Sequence, residues 1–313
     1  MNIIPRSLLT AALLAVAPFA HAKIERMVEK TFTVQPGGTL TVETQGGNIQ
    51  VQPSADSVVK VIAKQKINAG SDAEADEILK RLTMSMEQTG NDVAASAKFE
   101  RRPPGFNFGS WPPVQVDFIV TVPASFAAEL KTSGGNLVVG DLDGKVNART
   151  SGGDIRLGTL RSVVDASTSG GNVSLTEGKS DVKLRTSGGN ITVGHVGGSA
   201  ELETSGGDIK VESVENTLRA RTSGGNVRAG VFGLLKGDCE LHTSGGDVTA
   251  VIDKSAAFRL DASTSGGRVI AEGITITLEK SNHGKSHLSG NVNGGGPLLK
   301  LRSSGGDVTV KTR

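Results

Sequence analysis

Apolar and polar residues alternate with period two through most of this chain, and the alternation restarts at a fixed interval. Counting back from each recurrence of Thr-Ser-Gly-Gly, positions minus four and minus two are apolar, as in Val146 and Ala148, Val182 and Leu184, Leu218 and Ala220, while the positions between them are polar or charged. After the glycines the pattern resumes, with Ile155 and Leu157 around Arg156, and Ile191 and Val193 around Thr192. Period two marks a half-buried strand. Each unit is therefore expected to hold two short strands joined by two corners.

The recurring motif, usually continued by Asn or Asp and an aliphatic residue, starts at Thr132, Thr150, Thr168, Thr186, Thr204 and Thr222 in steps of 18, then at Thr243 and Thr264 after two steps of 21. A degenerate copy starts at Ser303, and an outlying one, Thr44-Gln45-Gly46-Gly47-Asn48-Ile49, lies far upstream. Fixed self-similarity means that each unit buries its apolar face against its neighbours. Eighteen residues are too few for two strands and a helical crossover, but they suffice for one coil of a solenoid whose coils stack at ~4.8 Å. A sandwich or barrel of hairpins would alternate equally well, yet it would not require the same Thr, Gly-Gly and Asx in every unit. The expected fold is all-β: a parallel β-solenoid (β-helix) with 18- to 21-residue coils over residues 128–313. A diverged coil is expected in the 39-residue gap before Ser303, for a rod of roughly 45 to 50 Å. At the first corner the Gly-Gly pair serves either a positive φ or a close backbone approach.

Residues 23–127 read as a small β-rich capping module with one helix. Two strands are expected in 31–51 around Pro36-Gly37-Gly38, another in 58–64, a helix over 73–84 capped by Ser71 or Asp72, a proline-rich loop over 101–113, and a strand over 114–122. Such a module would cover the first coil, because an open solenoid end exposes a strand edge that invites polymerisation. At the other end Lys311 and Arg313 are expected to discourage end-to-end growth. Residues 1–22 read as a signal peptide, with Arg6, an apolar run from Leu8 and a small-x-small site at Ala20-His21-Ala22. The chain is therefore expected to be exported, periplasmic or secreted, and no later stretch approaches the ~20 apolar residues of a transmembrane helix.

Composition narrows the chemistry. Lys and Arg number 34 against 32 acidic residues, which gives no general affinity for nucleic acid. The single cysteine, Cys239, stands at position minus four, where other copies carry Val146, Val182 or Leu218, so it reads as a core residue. The Asx column, Asn136, Asp154, Asn172, Asn190, Asp208, Asn226, Asp247 and Asp307, is interrupted by Arg268. It is expected to bond rung to rung and to satisfy corner backbone, with calcium binding as the alternative. The inward Thr column suits corner backbone better than an ice-binding array. No cofactor or metal site is expected.

Function is sought in what varies. Position minus one faces outward and includes Lys131, Arg149, Arg185 and Arg221, three of them two coils apart, about 10 Å. These form a candidate basic stripe for an anionic polysaccharide, against the reading of a solvated, ion-paired face. Phe106, Phe108 and Trp111 concentrate aromatics in the proline-rich loop, as a contact site or a plug for the solenoid end. His195, His242, His283 and His287 fit no metal spacing. Asp165, Glu201 and Glu203 could serve a glycan-cleaving enzyme, but cations in adjacent rungs point to ion pairing.

The serial Thr-Ser-Gly-Gly-Asn/Asp units, the leader and the β-rich lead-in resemble the bacterial putative-adhesin family of unknown function, over about residues 31–310. The closing Gly294-Gly295-Gly296-Pro297 through Ser304-Gly305-Gly306-Asp307 is similar to that family's C-terminal end. The resemblance implies no catalytic residues. The expectation is an exported, non-enzymatic repeat protein, adhesin-like or an envelope-associated scaffold, with anionic polysaccharide or another envelope protein as partner. The alternatives are a polysaccharide lyase or hydrolase on a β-helix, and a self-assembling structural element.

Overall fold

The computed structural model describes residues 23–100, 112–231 and 236–313, apart from the side chains of 231 and 279–283. The expected signal peptide and the loop residues Phe106, Phe108 and Trp111 lie outside the described residues. The lead-in comprises β1 (Ile24–Thr33), β2 (Thr39–Thr44), β3 (Ile49–Ser54), β4 (Val58–Ile67), α1 (Asp72–Leu79), β5 (Leu82–Thr89), β6 (Asp92–Phe99) and β7 (Val114–Pro123). Each following repeat adds one strand before its motif to a front sheet and one after it to a back sheet. The Thr186 coil, for instance, contributes Val182–Arg185 and Ile191–Val196.

The coils stack in parallel with no slip. Val182 stands opposite Val164 and Ala200 in the front sheet, and Ile191 opposite Val173 and Ile209 in the back sheet. The expected all-β parallel solenoid is thus the observed fold, with 14 strands in the front sheet and 13 in the back among the described residues. Inward residues of one coil, Val182, Leu184, Ile191, Val193 and Val196, are all buried, and each stabilises the stack by about 1.5–3 kcal/mol.

The outlying Thr44 motif is a true rung. β2 pairs in register with Ala127–Thr132, setting Thr44 opposite Thr132, and β3 sets Ile49 opposite Leu137. β6 and β7 add a further parallel layer beneath it, and the antiparallel partners β5, β4 and β1 complete this end. The ladder therefore runs through residues 127 and 128 without a break. From β6 to the strand Phe258–Thr264 the front sheet makes ten parallel steps, about 48 Å.

Several expectations are corrected. Residues 24–54 hold three strands, with a second corner at Gly46-Gly47 besides the turn at Gly37, whose φ is +87°. The helix ends at Leu79 rather than at 84. Ser71 caps it, its hydroxyl accepting the Glu74 N–H at 3.2 Å. Only Ala75 of α1 is buried, so a longer helix would gain little; Leu82 and Met84 instead stand opposite Phe99 and Ala97 in a strand pair. Sheet pairing overrides the helical spacing.

The far end departs further. The gap before Ser303 holds no diverged coil: Ile276–Gly284 and His287–Val292 form an antiparallel hairpin that pairs with the front strand Phe258–Thr264. The Ser303 coil is not the last rung. Its strands Leu298–Ser303 and Val308–Thr312 stand between the Thr243 coil and the Thr264 coil in both sheets. Lys311 consequently faces Val251 on one side and Glu272 on the other, and Arg313 pairs with Asp253 at 2.9 Å. Neither guards an open end.

Candidate functional site

The repeated motif is occupied by corner chemistry. Every motif Thr from 132 to 264, and Ser303, turns inward and is at most 7% exposed. Its hydroxyl donates to the second-glycine carbonyl of the coil below, at 2.7–2.9 Å, as in Thr186 to Gly171 and Thr264 to Gly306. The same hydroxyl accepts the N–H of its own second glycine, as at Gly189 and Gly267. Two buried backbone groups per corner are thereby satisfied.

The Asx column forms an unbroken side-chain-to-backbone ladder. Asp117 accepts the Asn48 N–H, Asn48 that of Asn136, and so on through Asp154, Asn172, Asn190, Asp208, Asn226, Asp247 and Asp307 to the N–H of Arg268, every bond 2.7–2.8 Å long. One oxygen of each Asx residue is thus committed to the rung above. Neither motif glycine appears among the positive-φ residues, and it is the second that answers a close approach. A Cβ on Gly189 would lie 2.0 Å from the Gly171 carbonyl oxygen.

The variable outward columns of the front sheet carry the remaining chemistry. Position minus three reads, in stacking order, Asp165, Lys183, Glu201, Arg219, Glu240, Lys300, Asp261, so that charge alternates at every rung. Lys183 and Glu201 are 3.1 Å apart, and Lys300 and Glu240 3.3 Å. Hydrogen bonding from Lys183, helped by Arg185, holds the Glu201 carboxyl below the usual range against some burial. Burial pushes Glu240 up, but Arg221 and Lys300 outweigh it and the carboxyl is held low. Alongside this column runs an open groove of about 720 Å³ crossing six rungs, from Val163 to Leu298, with Lys183, Glu201, Arg219 and Lys300 in its walls.

The four cations of the expected basic stripe share one outward column, Lys131 next to Arg149 and then Arg185 and Arg221 at every second rung, but they border different grooves. Lys131 and Arg149 line a smaller groove of about 170 Å³ with Glu43 and Glu129. Arg185 and Arg221 lie in the column beside the larger groove. Each cation has a carboxylate neighbour: Lys131 has Glu43 at 3.5 Å, Arg149 has Asp165 at 3.7 Å, Arg185 has Glu201 at 2.7 Å and Glu203 at 3.2 Å, and Arg221 has Glu240 at 2.7 Å. Their side chains nevertheless stay between 41% and 70% exposed, so such pairs hold only about 0–1 kcal/mol each and remain open to exchange.

One cluster escaped the sequence reading. On the outer face of the back sheet His195 Nδ1 is 2.8 Å from the Ser213 hydroxyl, and its Nε2 is 3.2 Å from Glu215. His195 and Ser213 are register partners in adjacent rungs. The 18-residue spacing carries that signal, but it shows only once the back-sheet columns are aligned as the front ones were. Both grooves lie on the other sheet.

A family model described as Toastrack DUF4097 matches residues 30–311. Ten solved chains are similar to this one. A putative adhesin from Bacteroides fragilis is 13% identical, with 92% of this chain and 97% of that chain covered and a TM-score of 0.40. A putative lipid binding protein from Parabacteroides distasonis is 12% identical, covering 91% and 96%, with a TM-score of 0.39. A putative cell adhesion protein from Clostridium sporogenes is 12% identical, covering 92% and 100%, with a TM-score of 0.23. Comparison with curated proteins found no match.

Proposed function

The chain belongs to the Toastrack DUF4097 family, and from that premise we propose that it is an exported, non-enzymatic repeat scaffold of adhesin type that holds an extended anionic glycan against the outer face of its front sheet. The observation that carries this reading is the open groove of about 720 Å³ running across six rungs of a rigid stack. The Thr hydroxyl and one oxygen of each Asx are engaged in corners, which turns the search for ligand contacts to the outward columns.

The stack sets the spacing of the contacts. Arg149, Arg185 and Arg221 recur at every second rung, about 10 Å apart, and Lys183 and Arg219 repeat that interval in the groove wall. A polymer with negative groups at such intervals would exchange each intramolecular carboxylate for one of its own. Asp165, Glu201 and Glu203 each face a cation, which supports a scaffold over a glycan-cleaving enzyme with free carboxylates.

The test is binding of residues 23–313 to immobilised uronic-acid and sulfated polysaccharides at low salt. Binding should weaken with added salt and fall at least tenfold when Arg149, Arg185 and Arg221 are all changed to Gln. Unchanged binding by the triple variant, or none by the wild type, would remove the proposal.

A further inference from the structure

The coil carrying Ser303 follows the Thr264 coil in the chain, yet it sits beneath it in the stack. We propose that residues 298–312 are an exchangeable rung, which leaves its slot between the Thr243 and Thr264 coils and enters the same slot in a second copy of this chain. Reciprocal exchange would join two rods through contacts identical to those within one molecule, which is why domain swapping costs little.

Four features point to this. First, the slot is made and filled by generic rung chemistry. Ser303 donates to Gly246 O at 2.7 Å and Asp307 N–H bonds Asp247 at 2.7 Å below, while Thr264 donates to Gly306 O at 2.7 Å and Arg268 N–H bonds Asp307 at 2.8 Å above. Second, the chain spacing does not demand insertion. A step of 21 residues carries the chain up one rung from Thr222 to Thr243, and another step of 21 carries it up two rungs from Thr243 to Thr264. The Thr264 coil can therefore wait above an empty slot without stretching its linker.

Third, a glycine-rich turn that would serve as the hinge precedes the rung, tied to the stack through the Asn293 amide, which donates to the carbonyls of Lys254 and Ala256. Asn293, Gly294, Gly295 and Gly296 have φ of 49°, 91°, 85° and 158°, a run of left-handed backbone that glycine adopts freely. Extended, residues 293–297 reach at most about 17 Å, so two exchanging copies would meet at this end of their rods. Fourth, charge selects the occupant. The slot presents Glu240 from below and Asp261 from above, and the inserted strand presents Lys300 and Arg302. Lys300 lies 3.3 Å from Glu240, and Arg302 pairs with Asp261. Without the insert, Glu240 and Asp261 would face each other across the slot with no cation between them, an unfavourable arrangement of like charges. The slot accordingly calls for a cationic strand of the Ser-Ser-Gly-Gly-Asp type, which this chain itself carries.

The test adds a fluorescent peptide of residues 293–313 to the full mature chain, in urea below the unfolding midpoint, and follows uptake by size-exclusion chromatography. Wild-type peptide should be taken up. A peptide with Gly306→Val should not, because a Cβ there would meet Gly246 O and Asp247 Oδ1 at 2.3 Å, and one with Lys300→Glu and Arg302→Glu should bind at least tenfold more weakly. No uptake, or uptake indifferent to Gly306→Val, overturns the proposal. Hydrogen exchange on the unmodified chain is the second readout. Fraying from the end would expose 287–292 before 298–303, whereas an exchangeable rung requires 298–312 to exchange as one unit while 287–292 stays protected against 258–264; exchange of 287–292 ahead of the rung also overturns the proposal.

Discussion

The Oδ1 atom of Asp307 accepts the backbone N–H of Arg268 at 2.8 Å, which makes position 268 the last receiver of the Asx ladder. No rung above asks residue 268 for an oxygen, so an arginine can stand where the other copies need Asn or Asp. Arg268→Ala should change unfolding free energy by less than about 0.5 kcal/mol. Asn190→Ala, which leaves the Asp208 N–H without its partner, should cost about 1 kcal/mol. Urea denaturation of the two variants separates them, and equal effects would contradict the ladder.

The two motif glycines should differ in their tolerance, and the first should differ along the rod. A Cβ on the first glycine would approach the coil below at 4.0 Å for Gly134, 3.4 Å for Gly188, 3.1 Å for Gly245 and 2.9 Å for Gly305, tightening steadily toward the far end. Thermal unfolding should therefore show Gly134→Ala near wild type and Gly245→Ala lower by about 1–2 kcal/mol. At the second glycine, Gly189→Ala meets backbone at 2.0 Å and should cost about 3 kcal/mol. A uniform effect at the first position would show that the tightening has no energetic weight.

Repetition made the fold legible. Thr186, Gly189 and Asn190 announce a corner because identical coils can stack only like on like, and inward and outward positions follow from period two. What a repeat cannot announce is the order of its copies in space. Arg268 carried that information, as an anomaly in the Asx column that makes sense only at the top of the stack, whereas in chain order it seemed a break. Leu82 fits helical spacing as well as strand alternation, and pairing with β6 decides between them for Leu82 and Met84. The cations at 131, 149, 185 and 221 are legible as outward residues, and the rung spacing points to carboxylates at 165, 201 and 203 as partners, but which oxygen each cation meets depends on rotamers that no spacing fixes.

Asp117 starts the ladder and should be costly to remove. It is 8% exposed, its Oδ1 accepts the Asn48 N–H at 2.8 Å, and its Oδ2 pairs with Lys66 at 2.7 Å. The hydrogen bond to Asp117 raises the Lys66 ammonium above its ordinary range. Asp117→Ala leaves the Asn48 N–H, the Gln115 amide and the Lys66 ammonium without this acceptor and should lower stability by about 2 kcal/mol, the scale for hydrogen bonds to a charged group. Asp117→Asn keeps an oxygen for Asn48 and should recover part of the loss. Full stability in Asp117→Ala would show that the lead-in does not depend on this anchor.

Acid should loosen the front sheet through Glu240. Burial raises its carboxyl, but hydrogen bonds and charge from Arg221 and Lys300 prevail, and it titrates below the usual carboxylate range. A carboxyl depressed in the folded state adds stability that is fully present above the unfolded value, near 4.3, and that disappears as pH falls through the folded one. Urea midpoints should therefore be flat from pH 7 to about pH 5 on this account and decline below pH 4.3. Glu240→Gln should be less stable than wild type at pH 7 and show a shallower acid slope, because its amide cannot gain the proton that the carboxylate gains. Parallel acid slopes for the two proteins would mean that the pairs of Glu240 with Arg221 and Lys300 hold no part of the stack together.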